Sequence, residues 1–347
     1  MSASRQERNS PAAQMRDVAE RAGVSISTVS HVINDTRPVA AATRTRVQDA
    51  MRELNYYKNA FGRRLARGRS DALGLLISDI ENPFFPELIK SFENAVVSRG
   101  WDVLLCTTNY DPELARKAIR RMIENKVQGV AVMTSQLDSS LVDELVAADM
   151  PVVLMDGVAG RGRSSVRIDY SNGALEAVRY LRDLGHNRLG FISGPLNRVS
   201  AVTYRQALVD AVASFELPEV RFVQGDNTAE GGRQAMREVM AESRPPSAVL
   251  CGNDLAALGA MQALAEAGRR VPEDFSIIGA DDITAARYSS PPLTTIRIPR
   301  DRLGLMAFDA LQRLIRMKRR TGVEAVLESQ LVVRSSTGRP PAQRAMA

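Results

Sequence analysis

Residues 15–34 read MRDVAERAGVSISTVSHVIN. Val18, Ala19 and Ala22, then Val29, Val32 and Ile33, recur at helical spacing in two short runs that Gly23 separates. Two short helices joined by a glycine-containing turn describe a helix-turn-helix. In that motif the second helix enters the DNA major groove with its N-terminal residues facing base edges. The hydroxyls, histidine and asparagine of SISTVSHVIN then form a reading surface rather than a merely wet one.

The stretch that follows, TRPVAAATRTRVQDAMRELNY (36–56), extends this head. Pro38 stops the preceding helix, Thr43 or a neighbour begins another, and Val47, Ala50, Met51 and Leu54 mark its apolar face. Next, YKNAFGRRLARGRSDALG sets Phe61, Leu65 and several arginines around Gly62 and Gly68. An isolated helix of that length is marginal in water, so the segment reads as a hinge that is helical only with a partner. Charge supports the assignment. Residues 1–70 hold 13 Lys+Arg against six Asp+Glu, or +7, whereas the remaining residues sum to −1. A basic head on a nearly neutral body is the footprint of a protein that grips a polyanion with one end.

The totals narrow the class. A chain of 347 residues suggests two or three domains. No apolar run approaches the roughly 18–20 residues that span a bilayer. The N-terminus, MSASRQERNSPAAQ, lacks the apolar core of a secretion signal, so a cytoplasmic location is expected, with no membrane partner. Cys106 and Cys251 end apolar runs and read as buried thiols in strands. With two histidines and no paired metal-ligand spacing, neither a metal nor another cofactor is expected.

From Leu73 the pattern becomes an alternation of short apolar strands and amphipathic helices. One series runs from LGLLISDI to MPVVLMDG, and a second, starting near Ser165 with SVRIDYS, continues to TTIRIP. This alternation predicts an α/β core of parallel sheets flanked by helices, long enough for two lobes. In open α/β sheets ligands bind beyond the carboxyl ends of the strands. Those ends carry Asp79, Asn82, Phe84, Phe85, Asp156, Asp169, Asn253, Asp254, Asp281 and Asp282. Carboxylates and amides beside an aromatic wall suit a small polyhydroxylated molecule. For any one of these residues, an Asx turn or loop cap is the plainer reading; their joint placement favours a binding cleft.

Catalysis finds no support. Asp281 and Asp282 are adjacent on a strand and point to opposite faces, which disfavours an acid/base pair. His31 lies in the head, and His186, in the turn LGHNRLG, reads as structural. No P-loop is present, and no G-x-G-x-x-G follows the first core strand. Two rivals to a DNA-binding regulator remain. A periplasmic-type small-molecule binding protein would need an export signal and no basic head. A cytoplasmic α/β enzyme with a fused DNA-binding head would need a catalytic set.

VAERAGVSISTVSHVIN, TRPVAAATRTRVQDAMRELNY and NAFGRRLARG closely resemble the head and hinge of the LacI/GalR repressors. GLLISDIENPFF, GHNRLGFISGPL, CGNDLAALGAMQALAEAG, VPEDFSIIGADD and PPLTTIRIPRDRLG resemble their core. The likeness covers about residues 15–340 and implies a periplasmic-binding-protein-like core behind a three-helix head and hinge helix. It implies an N-terminal extension at 1–14, the head at 15–58, the hinge at 59–70, the core at 71–340 and a tail at 341–347. The N-lobe is expected at about 71–168 and 296–320, and the C-lobe at about 169–295 and 321–340. The resemblance further implies a homodimer on a near-palindromic double-stranded operator. Ser27, Thr28 and His31 match its major-groove residues, Ser30 and Thr43 its phosphate contacts, Arg37 a backbone or base-edge contact, and Leu65 its intercalating hinge leucine. For the effector cleft it points to Asp79, Phe84, Phe85, Asp169, Asn253 and Asp281, with Arg198 and Arg205 both candidates for the cleft arginine. Where purine-binding members place aromatic rings, this chain has Gly157 and Asn227, so a sugar or sugar-like effector is expected. The chain ends at RPPAQRAMA without the leucine-heptad tail of tetrameric members, so a dimer is expected.

Overall fold

The computed structural model describes residues 13–56, 70–134, 139–157, 159–160, 162–217, 219–317 and 322–341. It divides into two compact units, Met1–Gly68 and Arg69–Ala347. All of the expected hinge at 59–70 except Ser70, and with it Leu65, lies outside the described residues, as do most of the expected N-terminal extension and tail.

In the first unit, α1 (Met15–Ala22) starts in a capping box made by Gln14 and Asp17 and ends at Gly23, whose φ of 63° places it in the left-handed region. Helix α2 (Ile26–Asn34) is capped by Ser25, whose hydroxyl accepts from the Thr28 amide at 3.1 Å. Helix α3 (Ala41–Glu53) begins two residues before Thr43 and has no side-chain cap. Val18, Ala19, Ala22, Val29, Val32, Val47 and Ala50 form its core. These small side chains let three short helices close on one another without a large apolar centre.

The second unit holds two six-stranded sheets. The first has the order β11-β5-β4-β3-β1-β2, from β1 (Ala72–Ile77), β2 (Asp102–Thr107), β3 (Val130–Met133), β4 (Val152–Met155), β5 (Arg163–Asp169) and β11 (Glu324–Glu328). The second has the order β12-β10-β9-β8-β6-β7, from β6 (Arg188–Ser193), β7 (Glu219–Gln224), β8 (Ala248–Cys251), β9 (Ser276–Asp281), β10 (Thr294–Arg297) and β12 (Gln330–Val332). All neighbours run parallel except β10 and β12. Central strands such as β1, ALGLLI, are buried at every position because helices cover both faces. The first lobe carries α4 (Phe84–Val97), α5 (Pro112–Glu124), α6 (Ser139–Ala147) and α12 (Arg300–Arg316). The second carries α7 (Ser171–Asp183), α8 (Val199–Ser214), α9 (Ala229–Met240), α10 (Asp254–Glu266) and α11 (Thr284–Tyr288).

Three connections cross between the lobes, after Asp169, after Arg297 and at Ser329. The Ser329 hydroxyl and amide both donate to the Asp169 carbonyl, at 2.7 and 3.0 Å. Gly173 lets these strands pack, since a Cβ there would meet Ile296 Cγ2 at 2.5 Å and Ser329 Oγ at 2.7 Å. The crossings correct the expected lobe boundaries. Residues 324–328, expected in the C-lobe, form the edge strand of the first sheet, with Glu324 opposite Ser165. The strand at Ser165, read as opening the second series, likewise belongs to the first sheet, and Ile296 and Arg297 belong to the second. The sequence EAVLESQLVV passes from one sheet to the other with only Ser329 between strands, so no turn signal marks the change.

Both cysteines are buried and free. His186 is structural as expected: its ring meets the Ser247 hydroxyl and the Gly338 carbonyl, each at 2.8 Å. Among the described residues no helix is long and apolar enough to cross a membrane, and no cluster of His, Cys, Asp and Glu suits a metal ion.

Candidate functional site

Each of the two units holds a candidate site. On the head, Thr28, His31, Arg37 and Thr43 line one shallow groove together with Ser25 and Arg46. Helical spacing explains the pairing of Thr28 and His31 on the exposed side of α2, opposite buried Val29 and Val32. The His31 Nδ1 lies 2.8 Å from the Thr36 hydroxyl, a contact that orients the ring. Ser27, the second residue of the helix, is exposed, its hydroxyl 2.8 Å from that of Ser25. Ser30 stands outside the groove and accepts from the Asn34 amide at 3.3 Å. Ser25 and Arg46 were not singled out from sequence, although a serine immediately before a helical run is a capping signal.

In the core, a cavity of about 120 Å³ opens between the lobes beyond the carboxyl ends of the strands. Phe84 and Phe85 sit on its first-lobe side at the start of α4, rings edge to face with centroids 5.4 Å apart. Asn82 sets their position by accepting from the Phe84 amide at 2.9 Å. On the second-lobe side, Asp281 ends β9 in a left-handed conformation, φ 109°. Burial, with Asp254 nearby, pushes its carboxyl well above the usual range, and Arg300 opposes that shift. No hydrogen bond reaches this carboxyl among the described residues. Among the described residues, three further polar atoms on the cavity wall have no hydrogen-bond partner: Tyr204 Oη, Asn227 Oδ1 and Arg198 Nε. Tyr204 is only 3% exposed, so its hydroxyl is desolvated as well as unpaired.

Arg198 spans the cleft, its guanidinium 3.7 Å from the ring centroid of Tyr110 in the opposite lobe. Asp156 also lines the cavity and accepts from the Tyr170 hydroxyl at 3.0 Å; burial raises its carboxyl above the ordinary range. Asn253 lines it too, but both halves of its amide are engaged. Its oxygen caps α10 through the Ala256 amide, and its nitrogen donates to the Asn227 carbonyl, each at 2.9 Å.

Three sequence candidates do not reach the cavity. Asp79 makes an Asx turn with the Glu81 amide at 2.7 Å, and Asp169 does the same for Ser171 at 2.9 Å. Arg205 packs its guanidinium on the Phe222 ring, 4.4 Å from the centroid, away from the cleft. Its neighbour Tyr204 faces inward instead. The buried positions of α8, Ala201, Tyr204, Ala207, Leu208 and Ala211, follow a helical period, and that period could have identified Tyr204. Tyr110 and Tyr170 follow the ends of β2 and β5, where the strand-end rule applies equally.

Together these groups make a small cavity with rings on one side and unsatisfied donors and acceptors on the other. Such a lining binds a compact polar molecule that has an apolar face.

Comparison with known proteins agrees with this geometry. Residues 14–59 match the family described as bacterial regulatory proteins, lacI family, and residues 178–337 match a periplasmic binding protein-like domain. The chain is 38% identical over 334 residues to the HTH-type transcriptional repressor PurR of Serratia proteamaculans, covering 95% of this chain and 98% of that one. A crystal structure of the lac repressor dimer bound to operator and the anti-inducer ONPF superposes with a TM-score of 0.82 at 29% identity, covering 94% of this chain and 99% of that one. The transcriptional regulator CelR in complex with cellobiose superposes at 0.70 with 31% identity, covering 93% and 99%.

Proposed function

The chain belongs to the lacI family of bacterial regulatory proteins and is a DNA-binding transcriptional repressor with a ligand-binding core; on that premise we propose that a sugar or sugar-like metabolite governs its hold on an operator. The N-terminal turns of α2 enter the major groove. Ser27, Thr28 and His31 meet base edges, Ser30 and Thr43 hold phosphates, and Arg37 reaches backbone or base. Leu65, in the hinge at 59–70, acts as a minor-groove wedge whose unstacking cost is offset by contacts to the bent duplex. Two copies pair as a dimer, because a two-fold pair of heads matches a near-palindromic site. Work on DNA assigns the chain to the cytoplasm and requires no catalytic step.

The observation that carries the effector reading is the convergence of Asp281, Tyr204 Oη, Asn227 Oδ1 and Arg198 Nε opposite the Phe84–Phe85 pair. Hydroxyls both donate and accept, so a sugar can serve the Asn227 oxygen, the Asp281 carboxyl and the Arg198 N–H at once. Asn227 offers no aromatic ring, which disfavours sandwiching of a planar base. The rings of Phe84 and Tyr110 favour a second reading, a nucleobase held by stacking. An effector acts only through different affinity for the two states of the repressor, a coupling of typically ~1–3 kcal/mol. A thermal-shift screen with ribose, cellobiose, polyols and nucleobases tests this, followed by fluorescence anisotropy on operator DNA with each hit. Sugars that stabilise the chain and alter its operator affinity are the expected result. Stabilisation by nucleobases alone overturns the sugar reading.

A further inference from the structure

We infer that Arg300 is a positioning residue of the cleft, tying the strand end that carries Asp281 to the helix that carries Phe84 and Phe85. Arg300 opens α12 in the first lobe and is 5% exposed. Its guanidinium reaches across to the second lobe, where Nη1 donates to the Asp281 carbonyl and Nη2 to the Asp282 carbonyl at 2.9 Å. On its own side, Nε and Nη2 donate to Glu87 Oε2 on α4 at 3.0 and 2.5 Å. A buried cation is tolerated only with such a full set of acceptors, and the planar fork of arginine supplies the directions a lysine lacks.

The two ends of this link differ in stiffness. In the first lobe α12 and α4 meet closely: a Cβ on Gly304 would stand 2.8 Å from the Phe92 amide nitrogen, and the Ser91 hydroxyl donates to the Asp301 carbonyl. In the second lobe the held segment has two consecutive left-handed residues, Asp281 at φ 109° and Asp282 at 56°. Side chains with a β-carbon resist that region, so the segment keeps its shape only while its surroundings enforce it. The Asp282 carboxyl faces Arg334 at 2.5 Å and Arg287 and Arg297 more distantly, while its carbonyl belongs to Arg300. A shift of Asp281 therefore reaches Glu87 and α4 through one guanidinium.

The inference rests on the cleft being the effector site, yet its test needs no effector. Hydrogen–deuterium exchange is followed on the full chain and on the variants Glu87→Gln, Arg300→Met and Arg300→Lys. The reporters are the Asp282 and Ile283 amides, which donate to Thr295 Oγ1 at 3.3 Å and Asp254 Oδ2 at 2.8 Å. Glu87→Gln, made in the opposite lobe, is expected to speed their exchange about ten-fold with β6 amides unchanged. Arg300→Met does at least as much, and Arg300→Lys, which keeps the charge without the planar fork, restores only part of the protection. Unchanged exchange in Glu87→Gln, parental exchange in Arg300→Lys, or a rise spread through the second lobe overturns the link. A chain whose link passes but whose operator binding answers no small molecule counts against the effector reading instead.

Discussion

Tyr204 and Asp254 show how differently two buried polar side chains can be treated. Tyr204 keeps a desolvated hydroxyl without a partner among the described residues, whereas Asp254 accepts from Thr295 Oγ1 at 2.5 Å and the Ile283 amide at 2.8 Å. Removing an unpaired hydroxyl relieves a desolvation cost, so Tyr204→Phe is expected to hold or raise the melting temperature while weakening effector binding several-fold by calorimetry. Asp254 responds to pH. Burial pushes its pKa from 3.8 up to about 7. A carboxyl raised in the folded state stabilises most below its unfolded pKa, and that stability is lost as pH rises from about 4 to 7. Asp254→Asn removes the charge and keeps the bond from the Ile283 amide at its oxygen, while its amide nitrogen donates to Thr295 Oγ1 instead of accepting from it. Its melting temperature is expected to exceed the parent's by a margin that grows over this window and levels off above it, worth a few kcal/mol at about 1.4 kcal/mol per unit. Phe84, Phe85 and Asp281 were legible as cleft residues because they follow the ends of buried strands. Asp79 and Asp169 share that placement, yet each spends its carboxylate on a local turn, a choice that composition does not encode. The two arginine candidates were separable only by the period of α8, which turns Tyr204 inward and Arg205 onto Phe222.

Among the elements, α2 has the most direct path from sequence to task. Its buried Val29 and Val32 fix which side faces out, and Ser25 fixes where it begins. His31 lies on the outer side with one ring nitrogen committed to Thr36. His31→Ala is expected to leave the melting temperature unchanged while shifting discrimination among operator variants by ~1–3 kcal/mol at the base pair it meets. Equal losses on every variant would make it a phosphate contact instead. Elements in the middle of each series were legible from their alternation. The crossover strands were not, because β11 and β12 share one apolar pattern and differ only in which sheet edge receives them. Edge pairing is a long-range event, and a local pattern is silent about it.

At the scale of the whole molecule, the separation of charge is the property most open to measurement. The first 70 residues carry +7 and the rest −1. Operator affinity should therefore fall steeply with salt, because each neutralised phosphate releases counterions. Arg37→Gln is expected to lower the slope of log affinity against log salt by about 1, and equally on specific and random DNA if the contact is to phosphate. A changed ratio between the two would mark a base-edge contact. The crossovers bear on biosynthesis. The first lobe's sheet is complete only when Glu324–Glu328 has joined β5, and the second only when Gln330–Val332 has joined β10. A ribosome must thus release nearly the entire polypeptide before either receptor half can finish, while the short-range head is ready long before. Nascent chains hold a DNA-binding module with no working sensor, and a nonsense codon upstream of 324 strips an edge from both halves at once.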